Sequence, residues 1–437
     1  MTRRPEIDLA SIARPEGAVR VSAMAAGLTG SEILKIAGEI RALVRDGATI
    51  CNLTVGDFDP GQFPIPEALR DAVTQALARG ETNYPPADGV PELRQAVQAY
   101  YRRELGLSYP MESILITGGA RPVIYSIYRS LVDAGDRVVY PLPSWNNNHY
   151  VHQLGAVGVP VPSSSANHFL PTAEDLAPAL RGARLLCLNS PLNPSGTALR
   201  PDALTQICNA IIAENRRRDG TNERPLFLMY DHIYWQLCVG ATQHVTPPQV
   251  VPEMARYTIF VDGISKAFSA TGLRVGWAVG PTDVIARMAA IVGHMGAWAP
   301  RAEQVATAAF LENQAAQAAF RGTFVPGIQR RLDAAYRGLE QMRAKGLPVE
   351  ALPPMGAIYL TARIHPFGRK TANGAVLATN DDVRRWMLEA AQIGMVPFQA
   401  FGVPEESGWF RLSVGAASEA SITDAMPRLE RALEQLT

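Results

Sequence analysis

The stretch "GISKAFSATGLRVGW" (residues 263–277) holds Lys266, one of four lysines in a 437-residue chain with 41 basic residues. Lys266 comes at the end of the run "TIFVDGIS", and Arg274 stands eight positions later at the entrance of a second run, "RVGWAVG". Short apolar runs of this kind read as buried strands. Both side chains therefore fall at strand ends. A lysine there loses water, which disfavours its ammonium form and leaves an amine able to form a Schiff base with an aldehyde. An arginine keeps its charge and presents a fork suited to phosphate. Each residue alone has a plainer reading, a lysine snorkelling from a loop or an arginine in a surface ion pair. Their spacing favours the chemical one.

The runs "SILIT", "RVVYP", "RLLCLN", "PLFLMYD", "TIFVD" and "RVGWAVG" all read as strands, most of them separated by helical patterns such as 121–134 and 202–218. Strands alternating with helices imply parallel pairing, helices on both faces and a ligand crevice at the carboxyl ends of the strands. After residue 282 the pattern turns helical through about 345, and one long helix is expected to leave the sheet. A smaller α/β region follows, with strands at "GAIYLTARI" and "WFRLSVG" and helices at 381–393 and 419–436. The segment 29–46 is an amphipathic helix, apolar at Ile33, Leu34, Ile36, Ala37, Ile40, Leu43 and Val44, expected to pack with the C-terminal domain. The expected division is 1–55 as N-terminal arm and helix, 56–320 as the large domain and 321–437 as the small one.

Forty-one acidic residues cancel the basic ones, so nothing in the charge points to nucleic acid or a membrane surface. Hydrophobic residues at 47% and charged ones at 19% describe a soluble folded protein. No apolar stretch of about 18 residues is present, and the N-terminus lacks the apolar core of a secretory signal. Cys51, Cys187, Cys208 and Cys238 are scattered without metal-ligand spacing, so no metal site is expected and reduced thiols in a cytoplasm are. No G-x-G-x-x-G follows a strand, which disfavours a nicotinamide dehydrogenase.

"GISKAFSATGLRVG" resembles the lysine signature of the class I/II aminotransferases, the fold-type I pyridoxal phosphate-dependent enzymes, and further segments fit in family order over roughly residues 30–437. The resemblance implies an α/β fold, with a large domain built on a mostly parallel sheet between helices plus a smaller α/β domain. It also implies pyridoxal 5'-phosphate, held by Lys266 as an internal aldimine, with Arg274 on its phosphate. By the same resemblance Asp231 in "YDHIY" pairs with the pyridinium nitrogen, and Tyr234 and Asn193 ("NSPLNPSGT") bond the phenolic oxygen. Gly119, Ala120 and Arg121 in "ITGGARPVIYSI" wrap the phosphate at a helix start, where free N–H groups and the dipole favour anions. Trp145 in "PLPSWNNNH" stacks on the pyridine face. Tyr84 in "TNYPPADGVPELR" reaches the neighbouring site of a homodimer. Arg411 in "WFRLSVG" grips the substrate α-carboxylate, and Gly56 in "NLTVGDFDPGQFPIP" contacts substrate.

Read without the family, Asp231 is as much a turn or cap residue, Tyr234 an interior tyrosine, Arg411 a salt-bridged strand residue and the Pro and Gly near Asn193 only a turn. The chain also departs from the family pattern. Gly56 is followed directly by Asp57 and Phe58. His294 or one of its neighbours, with Trp298 nearby, falls where aspartate-type enzymes carry an arginine for a second carboxylate, which speaks against a strict aspartate preference and leaves Arg301 as an alternative charge. Gly263 stands where some relatives have a phosphate-binding serine, with Ser265 either a substitute or equally a residue making a local turn bond. The resemblance implies amino-group transfer between an amino acid and a 2-oxo acid. The alternative is elimination, replacement, oxidation or bond formation with the same cofactor and fold. A regulator built on this fold would need a DNA-binding domain, for which neither the short N-terminal extension nor the neutral charge provides.

Overall fold

A computed structural model describes Leu9 and residues 21–437. Seven strands form the central sheet: β1 (Ile114–Thr117), β2 (Arg137–Leu142), β3 (Val157–Pro162), β4 (Ala183–Asn189), β5 (Phe227–Asp231), β6 (Thr258–Gly263) and β7 (Gly276–Val279). Their order is β1-β7-β6-β5-β4-β2-β3. All neighbours are parallel except that β7 runs against both β1 and β6. Only twelve residues separate β6 from β7, enough for an antiparallel return around the short helix Ile264–Ala267 and too few for an ordinary parallel crossover. β1, β6 and β7 are buried along their whole length, as a sheet covered on both faces requires.

β3 is absent from the strands expected from sequence. Its residues "VGVPVP" carry two prolines and a glycine, and proline is admitted at a sheet edge, where a missing N–H leaves no ladder bond unmade.

The helices that frame the site are α1 (Glu32–Arg45), α2 (Ala120–Leu131), α3 (Pro201–Arg218), α4 (Thr282–Met295), α5 (Arg301–Glu312), α6 (Gln314–Ala344) and α7 (Glu419–Glu434). The helical stretch after residue 282 is thus three helices. Left-handed Gly296 ends α4, and Asn313 caps α6 by accepting from the Ala316 N–H. A second, antiparallel sheet is made of β8 (Val349–Ala351), β9 (Tyr359–Ile364), β10 (Val396–Pro397) and β11 (Trp409–Ser413), in the order β10-β11-β9-β8. The helix expected over 381–393 is shorter. It runs as α-helix over Asn380–Trp386 and a wider turn over Met387–Ala391, and Gln392 at φ 57 ends it. Residues Ile393 and Gly394 instead pair in parallel with Cys51 and Asn52. Among the described residues no helix is long and apolar enough to cross a membrane.

α1 lies against the second sheet. Ile36 and Ile40 are buried in one cluster with Val396, Phe398, Phe401 and Trp409. Gly394 makes room for this contact, since a Cβ there would overlap Ile40 Cδ1. The Arg384 guanidinium ties the helix further, bonding Glu39 at 2.9 Å and Asp381 at 2.8 Å. Removing a buried aliphatic side chain leaves a cavity as well as losing transfer energy. Ile40→Ala is expected to destabilise the protein by about 2–5 kcal/mol, read as a lowered midpoint of thermal or urea unfolding. An unchanged midpoint would mean that α1 is not docked through this residue.

Candidate active site

The carboxyl ends of the sheet strands, the loop at 55–57 and residues of α1, β9 and β11 enclose a cavity of about 390 Å³, within the size range of small-molecule sites. Lys266, in the short helix after β6, projects into it and donates from Nζ to the Gly56 carbonyl at 2.7 Å. Burial lowers its pKa to about 8; Asp57 works against that, while the charges of Arg411, Arg274 and Arg121 add to it. Gly56 has no room for a side chain: a Cβ would stand 2.8 Å from Tyr359 Oη and 3.5 Å from Arg411 Nη1.

Asp231 ends β5 and faces the same cavity. Its Oδ1 accepts from the Ile233 N–H at 3.1 Å, and among the described residues no lysine or arginine pairs with it. Burial pushes its pKa up to about 7. Asn189, at the end of β4, donates to the Asp231 backbone carbonyl at 2.7 Å and accepts from the Asn193 N–H at 2.7 Å. The "NSPLNPSGT" turn is thereby fixed against the strand that carries the carboxylate.

Arg411 comes from the second sheet and is 1% exposed. It donates to the Thr54 carbonyl at 2.5 Å and to Asn193 Oδ1 at 3.2 Å, and its Nε has no partner among the described residues. The guanidinium sits 4.8 Å from the Tyr359 ring centre and 5.0 Å from that of Phe401. Burial lowers its pKa. No carboxylate neutralises this buried charge, so the strand-ion-pair reading of Arg411 does not hold among the described residues. Tyr234 and Tyr359 bring their hydroxyls together at 2.6 Å.

At the start of α2 three backbone segments converge. Gly119 has φ 92, a conformation that favours glycine, and a Cβ there would overlap the Arg274 guanidinium. A Cβ on Gly276 would stand 2.5 Å from the Gly119 carbonyl carbon. Arg274, itself left-handed at φ 56, donates to the Gly118 carbonyl at 3.1 Å and the Thr271 carbonyl at 2.7 Å. Ala120, Arg121, Trp145, Asn193 and Ser265 also line the cavity, with the Arg121 guanidinium 4.9 Å from the Trp145 ring centre. Gly263 cannot be replaced by serine without movement, because a Cβ would stand 2.7 Å from the Val275 carbonyl oxygen.

Several residues singled out in the sequence lie elsewhere. Tyr84 is 82% exposed and packs edge-on against Trp298 at 5.5 Å. His294 is exposed, and Arg301 bonds Glu81 at 2.7 Å. None of these four side chains lines the cavity. Conversely, Tyr359 and the α1 residues Ile33, Leu34, Ala37 and Arg41 line it unexpectedly. The run "GAIYLTARI" signalled only a strand, and the apolar face of α1 signalled only packing. Among the described residues no group of histidine, cysteine and acidic side chains could hold a metal.

The family of class I and II aminotransferases matches residues 48–429 of this chain. The chain belongs to that family. An aspartate aminotransferase of Rhizobium meliloti (strain 1021) is 31% identical over 93% of this chain and 94% of its own length. An aspartate/prephenate aminotransferase of Thermus thermophilus is 32% identical over 90% of this chain and 93% of its own. The crystal structure of an aspartate aminotransferase from Rhizobium meliloti superposes with a TM-score of 0.87 at 29% identity, covering 96% of this chain and all of that one. The fold is fold-type I, and the protein is an aminotransferase that moves an amino group between an amino acid and a 2-oxo acid. The comparisons favour transamination over the other reactions of this fold. The family uses pyridoxal phosphate.

Two titrations follow for the cofactor-free aminotransferase. Labelling of Lys266 by an amine-reactive reagent is expected to rise with a midpoint near pH 8, against about 10.4 for an ordinary lysine; a midpoint near 10 would refute the burial. Asp231 is neutral in both folded and unfolded chains below about pH 4 and charged in both above about 7. Between these values the folded state binds the extra proton, so stability falls as pH rises. Asp231→Asn is therefore expected to match the parent protein near pH 4. Above pH 7 it is expected to exceed it by about 1–3 kcal/mol, the carboxylate being partly screened through the open cavity. Thermal midpoints at the two pH values check this.

Proposed function

We propose that this aminotransferase binds pyridoxal 5'-phosphate in the cavity around Lys266 and acts as a cytoplasmic homodimer with shared sites. The observation that carries the reading is the pair formed by Lys266 and Asp231, a partly deprotonated amine and a carboxylate without a cation, both facing one cavity. The residues fit the cofactor: a protonated ring nitrogen would satisfy Asp231, and the Gly119–Arg274 cradle at the start of α2 suits a phosphate. Bound there, the cofactor supplies the aldehyde and the electron-withdrawing ring that acidify a substrate's Cα.

The chain's own residues then have separable tasks. Arg411 holds the substrate α-carboxylate, its unpartnered Nε being a donor still available. The neutral Lys266 Nζ takes the proton from substrate Cα, for which a pKa near neutrality is suited. Asp231 keeps a proton on the ring nitrogen. Tyr234 and Asn193 would donate to the cofactor's phenolic oxygen, Trp145 would stack on its ring, and Ala120, Arg121 and Arg274 would hold its phosphate. Gly56 turns its carbonyl to the lysine, and Ile33, Leu34 and Ala37 of α1 restrict water at the mouth. Tyr84, exposed and not among the residues lining this cavity, would reach the phosphate of a partner subunit. The four free cysteines accord with a reducing compartment.

The purified protein supplied with the cofactor is expected to show a visible absorbance band that Lys266→Ala abolishes. An amino-donor screen comparing aspartate, the donor named for the relatives, with apolar and aromatic amino acids is expected to yield one 2-oxo acid per amino group transferred. Release of ammonia or peroxide instead would overturn transamination; absence of the band from intact, cofactor-supplied protein would overturn the cofactor assignment.

A further inference from the structure

Tyr359 carries no role in the reading above, yet it touches three parts of the site. Its hydroxyl lies 2.6 Å from that of Tyr234, its ring lies 4.8 Å below the Arg411 guanidinium, and it packs so closely on Gly56 that a Cβ there would stand 2.8 Å from Oη. Two buried hydroxyls this close cannot both donate to each other. If Tyr234 donated to Tyr359, its single proton would be spent and nothing would remain for the cofactor's phenolic oxygen. If Tyr359 donates, Tyr234 keeps its proton for the cavity, and accepting one hydrogen bond strengthens the one it gives.

We propose that Tyr359 is a positioning residue that fixes the direction of this hydrogen-bond chain, Tyr359 to Tyr234 to the phenolic oxygen, while its ring supports Arg411. The hydroxyl and the ring thus serve different ends of the reaction, the first the cofactor's proton affinity and the second the grip on the substrate carboxylate. The inference rests on the proposed role of Tyr234. Charged and titratable groups facing the tyrosine pair are Arg411 from β11, Asp231 from β5, Asp57 from the loop after Gly56, and Lys266, whose Nζ lies 5.9 Å from the Tyr234 ring centre. A change of Tyr359 to phenylalanine leaves all four in place.

The test is a pH titration of the visible absorbance of the cofactor-loaded protein, with steady-state kinetics alongside. A donor at the phenolic oxygen drains charge from it and lowers the proton affinity of the conjugated nitrogen. Tyr359→Phe is therefore expected to raise the spectral midpoint by about 0.5–1 pH unit, a three- to tenfold change in proton affinity, with KM for the amino acid within about twofold. Tyr359→Leu, which also removes the ring, is expected to raise KM about thirtyfold, as loss of a desolvated cation–π contact of ~2 kcal/mol would. Tyr234→Phe is the control and is expected to shift the midpoint at least as far as Tyr359→Phe. A shift in Tyr234→Phe with none in Tyr359→Phe overturns the inference and leaves the reading of Tyr234 intact. No shift in either overturns both. A raised KM in Tyr359→Phe equal to that in Tyr359→Leu overturns the division between hydroxyl and ring.

Discussion

Three ionisable groups, Lys266 and Asp231 half-buried and Arg411 fully buried, have no ion-pair partner among the described residues, and the rest of the structure bears on that arrangement. An unpaired buried charge costs several kcal/mol, and the usual escape is to neutralise the group by shifting its pKa. The amine and the carboxylate do so, moving toward neutrality from opposite sides, whereas a guanidinium cannot. Arg411 is instead spread over hydrogen bonds to Thr54 and Asn193 and two aromatic faces. The burden falls on the surrounding core. β1, β6 and β7 are buried throughout, and the second sheet is held by its own cluster around Phe410 and Leu412.

The same economy of space explains why glycines gather at the cavity. Gly119, Gly276 and Gly263 let backbone meet backbone or guanidinium where any Cβ would intrude, and Gly56 does the same for Tyr359 and Arg411. Positioning by main chain is stiffer than positioning by side-chain rotamers, since the peptide planes are already fixed in the sheet and its tight connections. The consequence is that the Lys266 amine and the Arg274 guanidinium are seated on main-chain carbonyls.

Much of this was legible in the sequence because the chemistry sits at strand ends and the strands are unbroken apolar runs. Lys266, Asp231 and Asn193 each follow such a run, so topology alone gathers them at one edge, and Arg411 reaches them from a run in the second sheet. What was not legible follows from physics that pattern does not encode. β3 hid behind its prolines, tolerable only because it is an edge. Tyr359 alternates within β9 like any buried strand residue, and its meeting with Tyr234 depends on how two sheets face each other. The α1 residues at the cavity mouth read as an ordinary apolar face, since periodicity shows that a face is covered but not by what. Tyr84 shows the converse: sequence singled it out, but its side chain lies outside the cavity of its own chain.

The distribution of lysine then takes on a physical meaning. Lys35 and Lys345 sit on the surface in exposed ion pairs with Glu32 and Glu430, and Lys370 is exposed as well. Arginine would serve at such places with little change, as it does in most of this chain's ion pairs. The permanent cations that line the cavity, Arg41, Arg121, Arg274 and Arg411, are all arginine. The single cavity cation that is lysine is the one that burial brings to a pKa of about 8. A guanidinium in the same place would stay charged, pair with the Gly56 carbonyl and offer no nucleophilic lone pair. The one position where the side chain must be able to give up its proton is the one that arginine could not fill.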